Sequence, residues 1–318
     1  MKNRKTLKHI FTIMIFMMLL ITVSACGGGG GGGGSTPTPE PPVPVTTPPS
    51  AVTNLTVADG DTYGVIVLKW TTPSHGSSAL QAYDVRYSTA STIDESGFLQ
   101  LSQVNFSAAI TPKAAGIQET AQIIATGAGA MINSSIAKPG SGLFWCVRSQ
   151  NSTDYSAISN VTTPSIKVPW RAKIKISLKN SPADYYETYF GVQGNAADNA
   201  YDSKVGFDAK LPPDAATKNI YAYFGEKASE QLTSSMHSAI TKQWQLIVTG
   251  LALAPGTPIT LEFPDYSTAG PVFDRIVLDE ATSGSSGANV NLEIPSAAST
   301  ANYVIGNDGR AVFNIYGQ

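Results

Sequence analysis

VIVLKW, residues 65–70, places Ile66, Leu68 and Trp70 on one side of an extended chain and Val67 and Lys69 on the other. Successive side chains of a strand point to opposite faces, so this spacing describes a strand with one face in a core and one in water. YDVRY, residues 83–87, repeats the pattern, with Tyr83, Val85 and Tyr87 opposite Asp84 and Arg86. Between them, TTPSHGSSA (71–79) supplies the Pro, Gly and Ser of a loop. Short alternating runs separated by such breakers are the signature of an all-β domain rather than of helices.

The flanking residues carry a resemblance. An early Pro49 to Leu55, the core Trp70, the Tyr83 to Tyr87 run, LFWCVRSQN (143–151) and SAISNV (156–161) resemble the landmarks of fibronectin type III domains. The stretch from Phe98 to Ile124, with an Ala-Gly turn before its last strand, is similar to the longer bacterial versions. The resemblance covers residues 48–165 and implies a β-sandwich of Ig-like architecture. It also implies that Trp145 and Val147 face the core and Cys146 the outer face. The tyrosine that the family places at one corner is replaced here by Leu143. The corner bond from hydroxyl to backbone is then lost or made by another group. The Arg-Gly-Asp tripeptide of some family members is absent.

Residues 168–318 read as a second antiparallel sandwich. WRAKIKISLK (170–179) puts Ala172, Ile174, Ile176 and Leu178 opposite Lys173, Lys175 and Lys179. Further strands are expected at YYETYFGV (185–192), NIYAYF (219–224), QWQLIVTG (243–250), PITLEF (258–263), VFDRIVLD (272–279) and ANVNLEI (288–294). The end reads as a hairpin, ANYVI and RAVFNIY about a GNDG turn. A helix is expected only in EKASEQLTSSMHSAI (226–240). Two packed sheets around one core are the expected outcome. The loop FGVQGNAADNAYDSKVGFDAKLPPDA (190–215) has a weak similarity to a motif of secreted bacterial β-sandwich domains, which implies the fold and no activity.

The amino-terminal end decides location. Lys2, Arg4, Lys5 and Lys8 precede an uncharged apolar run at 10–23, which is short of the roughly 20 residues of a membrane span. Val23-Ser24-Ala25-Cys26 closes it and resembles the lipobox of bacterial lipoproteins. That resemblance implies a signal peptide over 1–25, cleavage after Ala25, and acylation of Cys26. Two or three acyl chains hold a protein where one holds it marginally. Gly27 rather than aspartate after the cysteine implies the outer membrane, with the folded part facing the cell surface or the periplasm. Residues 26–47, eight glycines followed by a proline-rich stretch, read as a disordered linker reaching on the order of 60 Å.

Composition narrows the chemistry. Loss of Lys2, Arg4, Lys5 and Lys8 leaves 17 basic against 23 acidic side chains, which argues against a nucleic-acid partner. With Cys26 lipidated, Cys146 has no partner for a disulfide. Asp198, Asp202, Asp208 and Asp214 crowd one loop. Calcium takes such oxygens, so Asp198, Asp202 and Asp208 are the candidate ligands, although short aspartates also build turns. Of the two histidines that remain, His75 lies in the first half and His237 in the second, with no nucleophile elbow between them. No cofactor is expected and no catalytic set is assigned. Tyr185, Tyr186, Tyr189, Tyr201, Tyr221 and Tyr223 enrich the second half, where aromatic faces could stack on sugars or simply fit a pleated surface. The expected function is a non-catalytic, lipid-anchored module for adhesion or cell-surface assembly, with protein or polysaccharide partners at the envelope. The alternatives are a carbohydrate-binding lipoprotein using the Tyr-rich half and, more distantly, a glycan-active hydrolase.

Overall fold

The computed structural model describes residues 45–127, 129–227, 230–239, 241–251, 253–263, 276–280 and 299–317. Ala25, Cys26, the glycine run and most of the proline-rich stretch lie outside the described residues. So does ANVNLEI.

The protein is all-β. In the first half, β1 (Thr56–Asp59), β2 (Val65–Thr71), β3 (Ala82–Ser88), β4 (Ser102–Gln103), β5 (Gln118–Ile124), β6 (Gly142–Gln150) and β7 (Ile166–Lys167) form two sheets. Their orders are β1-β2-β5 and β4-β3-β6-β7. The two alternating stretches become β2 and β3, one in each sheet, and their apolar faces meet. Trp70 packs edge-on against Tyr83 at 5.0 Å, and Tyr87 lies tilted against Trp145 at 5.3 Å. Ile66, Leu68, Val85, Leu143 and Val147 complete this core. Each such side chain contributes about 1.5–3 kcal/mol on burial. Leu143 is fully buried in this core, and a tyrosine on β3 bonds the loop before β6: the Tyr87 hydroxyl accepts the Asn133 backbone N–H at 2.6 Å.

Cys146 points away from Trp145 and Val147, as the alternation requires, yet it is fully buried. The segment around Phe98 covers that face, with Phe98 held between the guanidinium groups of Arg86 and Arg148 at 5.0 and 4.5 Å. Burial, with Asp84 nearby, pushes the thiol up to about 12. An outer face was legible; its cover, built from a non-adjacent loop, was not.

The second half contains β8 (Trp170–Leu178), β9 (Ser181–Val192), β10 (Ala209–Lys210), β11 (Tyr221–Phe224), β12 (Leu232–His237), β13 (Gln243–Thr249), β14 (Pro258–Phe263), β15 (Ile276–Glu280), β16 (Ser299–Val304) and β17 (Ala311–Gly317). Hydrogen bonds run through them as one sheet, β15-β17-β13-β11-β12-β9-β8-β14-β16, with β10 beside β12. This sheet curls over itself, so that β8 and β9 face β13 across one core. Phe190 lies 5.3 Å from Trp244 and 5.8 Å from Trp170. One pairing, β9 with β12, is parallel.

Two expectations are corrected. The segment expected to be helical contains β12 instead, a central strand whose Leu232, Ser234, Ser235, Met236 and His237 are all buried. A strand covered on both faces shows no alternation, which is why LTSSMH did not announce itself. The final turn forms, with Gly309 at φ +75° and the Gly306 N–H bonded to the Arg310 carbonyl, but no hairpin follows. β16 pairs with β14, and β17 pairs with β13 and β15. The chain crosses between layers there, and Tyr303 meets Phe313 edge-on at 4.6 Å across the core.

The two sandwiches belong to one compact unit, residues 46–318. The β1–β2 turn docks on the segment after β9. Gln193, 1% exposed, donates from Nε2 to the carbonyls of Gly60 at 3.0 Å and Thr62 at 3.4 Å, and accepts the Gly64 N–H at 3.0 Å. Asn195 Nδ2 donates to the Gly60 carbonyl at 3.1 Å, and the Tyr63 N–H donates to the Val205 carbonyl at 2.8 Å. Tyr63 packs beside Ala196, Phe207 and Met236.

Candidate functional site

The loop from Gln193 to Asp208 gathers the carboxylates singled out in the sequence, and gives each a different partner. Asp198 Oδ1 accepts the Ser238 N–H at 2.8 Å and lies 3.3 Å from His237 Nδ1. Its Oδ2 accepts the Ser238 hydroxyl at 2.7 Å and pairs with Lys242 at 3.2 Å. Burial works against this charge, but the two Ser238 donors, Lys242 and His237 outweigh it and hold the carboxyl well below its usual range. Asp202 Oδ2 accepts the Ala197 N–H at 3.0 Å and pairs with Lys204 at 3.1 Å. Its carboxyl is also lowered, against burial, by the Ala197 and Lys204 donors.

Asp208 is the deepest of the three. It forms an ion pair with Lys227 in which neither side chain exposes any surface, with Nζ 3.1 Å from Oδ1 and 2.9 Å from Oδ2. Oδ1 also accepts the Met236 N–H and Oδ2 the Asp202 N–H, both at 2.8 Å. Lys227 Nζ donates in addition to the Met236 carbonyl. Burial pushes the carboxyl up, against the two amide donors and the lysine. A buried charge is tolerable when paired and fully hydrogen-bonded, and this one is both. Asp214, further along, makes a surface pair with Lys218 at 3.2 Å. Among the described residues no three His, Cys, Asp or Glu side chains gather as a metal cage. The calcium candidates Asp198, Asp202 and Asp208 share a loop but no common centre.

His237 is the other group with catalytic potential. It is 3% exposed, with Nδ1 toward Asp198 and Nε2 3.4 Å from Glu226 Oε1, and its ring meets Trp244 edge-on at 5.0 Å. Ser235 Oγ donates to Glu226, and Ser238 Oγ to Asp198. Both hydroxyls therefore serve carboxylates rather than the imidazole. A general base needs a nitrogen within reach of a substrate proton. Here both nitrogens point at protein carboxylates, Nε2 without a hydrogen bond of its own, and the arrangement ties the loop and the segment after β11 to β12. His75 lies between β2 and β3, in the first half of the chain. Sequence reasoning missed Lys227 and Glu119, two buried charged residues. Glu119 sits on β5, 2% exposed, and accepts from Thr72, Lys113 and Tyr83. The only signal for it was an acid on the apolar face of QETAQII.

Two open grooves flank β1. One, of about 630 Å³, lies over the outward face of the β1-β2-β5 sheet and includes Lys69, Gln118, Thr120 and Gln122. The other, of about 530 Å³, runs between β1, the chain from Asn160 to Ile166, and Gly194 and Asn195. Both reach Asp59. Tyr185 and Tyr201 are exposed, with Lys175 Nζ 5.1 Å above the first ring and Lys210 Nζ 4.9 Å above the second. Tyr189 carries Arg171 at 5.0 Å, while Tyr221 and Tyr223 stack at 6.3 Å with Tyr223 buried. A scan against protein-family models finds no match to this chain, and a search of curated proteins finds none either.

Proposed function

We propose that this chain is a lipid-anchored bacterial envelope protein whose two sandwiches act as a displayed, non-catalytic binding or structural module. The anchor rests on Val23-Ser24-Ala25-Cys26 and the linker behind it. The first sandwich is read as a fibronectin type III domain, supported by its three-strand and four-strand sheets in the orders β1-β2-β5 and β4-β3-β6-β7. The observation that carries the non-catalytic reading is the use made of the buried ionisable groups. Asp198, Asp202, Asp208, Lys227 and His237 all face partners within the chain. Adhesion or surface assembly, with protein or polysaccharide partners, suits stable sandwiches on a long tether.

Carbohydrate binding by the second sandwich is the second reading, favoured by the exposed ring of Tyr185. Protease shaving of intact cells, with Cys26→Ser as control, tests display: loss of the second sandwich from intact cells places it outside. Survival until the outer membrane is broken places it in the periplasm and removes surface adhesion. Retention on an insoluble polysaccharide that Tyr185→Ala abolishes would favour the glycan reading. Turnover of a glycan, abolished by changing one Asp or Glu, would overturn the non-catalytic one.

A further inference from the structure

We propose that the seam between the two sandwiches is an acid-tightened latch, docked more firmly at mildly acidic pH than at neutral pH, with Asp59 as its titrating group. The latch is independent of how the protein is anchored.

Asp59 ends β1 where the chain turns into the docking loop. The Gly194 N–H faces its carboxylate and favours the charged form. A methyl group on Gly194 would come within 2.5 Å of Oδ2, so the approach is close. Asn195 Nδ2 reaches back to the Asp59 carbonyl at 3.4 Å and the Gly60 carbonyl at 3.1 Å. Two oxygens in this seam, Asp59 Oδ1 and Asn195 Oδ1, are shut from solvent with no donor on either. A buried acceptor without a donor is costly, and most costly when it carries charge. A proton on Asp59 removes that charge and supplies a donor in a place that has too few.

The charged surroundings leave this balance in place. On the same loop, Asp61 adds a second acid. Across the seam, Lys204 favours the ionised Asp59, but its Nζ is engaged by the Asn195 carbonyl at 2.7 Å and Asp202 at 3.1 Å. Arg171 of β8 is stacked between the rings of Tyr63 and Tyr189. The chain from Asn160 to Ile166, the other wall of the groove, has no titratable side chain. Burial accordingly pushes Asp59 up to about 6, against the Gly194 donor and Lys204. Undocking hydrates the carboxyl and returns it to the ordinary range. The docked state thus binds a proton more tightly than the undocked one, and docking gains as pH falls through 6.

The reading is the hydrogen-exchange protection of the Tyr63 and Gly64 amides, whose donors cross the seam to Val205 and Gln193. It is measured on the full mature protein in detergent at pH 5 and pH 7.5, relative to the intrinsic rate at each pH. Protection should rise by up to about tenfold at pH 5. The Val147 amide, bonded within the first core, should not change. In Asp59→Asn the difference between the two pH values should vanish. Equal protection of Tyr63 and Gly64 at both pH values in the wild type would overturn the proposal. So would an undiminished pH response in Asp59→Asn.

Discussion

Lys227 holds a positive charge at a point that no solvent reaches, and three acceptors surround it. Replacing it with Met removes the cation but leaves Asp208 buried with its charge. Breaking such a pair costs about 3–5 kcal/mol, so Lys227→Met should lower the urea midpoint strongly, and an unchanged midpoint would show that the pair is dispensable. Cys146 is the opposite case, a group whose chemistry is suppressed. The buried thiol, pushed to about 12, should stay unmodified by a thiol reagent in the folded protein at pH 8 and react at once in denaturant. Modification of the native protein at a free-cysteine rate would mean that the Phe98 cover opens readily. Neither property could be read from the sequence. An acid's partner lies 19 residues away at Asp208 and Lys227, and the cover over Cys146 comes from a different strand connection altogether.

At the scale of elements, the strands that could be read were those with one polar face. VIVLKW and WRAKIKISLK alternate because water reaches one side of each, and YDVRY because its outer side carries the Asp84–Arg86 pair under the Phe98 cover; all three became strands with their apolar residues inward. β12 could not be read because it is covered on both sides, and the last turn misled because turn chemistry specifies the turn and not the pairing beyond it. The candidate site was legible only as a composition. The aspartates of the 193–208 loop were visible, whereas the assignment of Asp198 to Ser238 and of Asp208 to Lys227 and the Met236 amide depends on where β12 passes. Tyr87 offers a test of element packing. Its hydroxyl holds the Asn133 N–H of the loop before β6, so Tyr87→Phe should cost about 1 kcal/mol, seen as a lower midpoint with unchanged denaturant slope. Leu143→Tyr should not rescue it, because Leu143 is fully buried in the core and a larger, polar side chain there overpacks it. A stable Tyr87→Phe would assign that loop to packing alone.

At the scale of the molecule, the two sandwiches are joined by a seam built largely of backbone groups, and one side chain, Gln193, satisfies three of them. Gln193→Leu would leave the Gly64 N–H buried without a partner and the Gly60 carbonyl with Asn195 as its one remaining donor. Wild-type protein should unfold in a single calorimetric transition and the variant in two; a single transition in both would mean that the sandwiches are coupled elsewhere. Such a unit, at the end of a glycine and proline tether, can present its loops at a distance from a membrane only if the tether is anchored. The most direct test of that claim follows a labelled fatty acid in cells making the wild type or Cys26→Ser. The account predicts label on the wild-type chain, its partition into the detergent phase, and loss of both in the variant. An unlabelled, aqueous wild-type protein would contradict it.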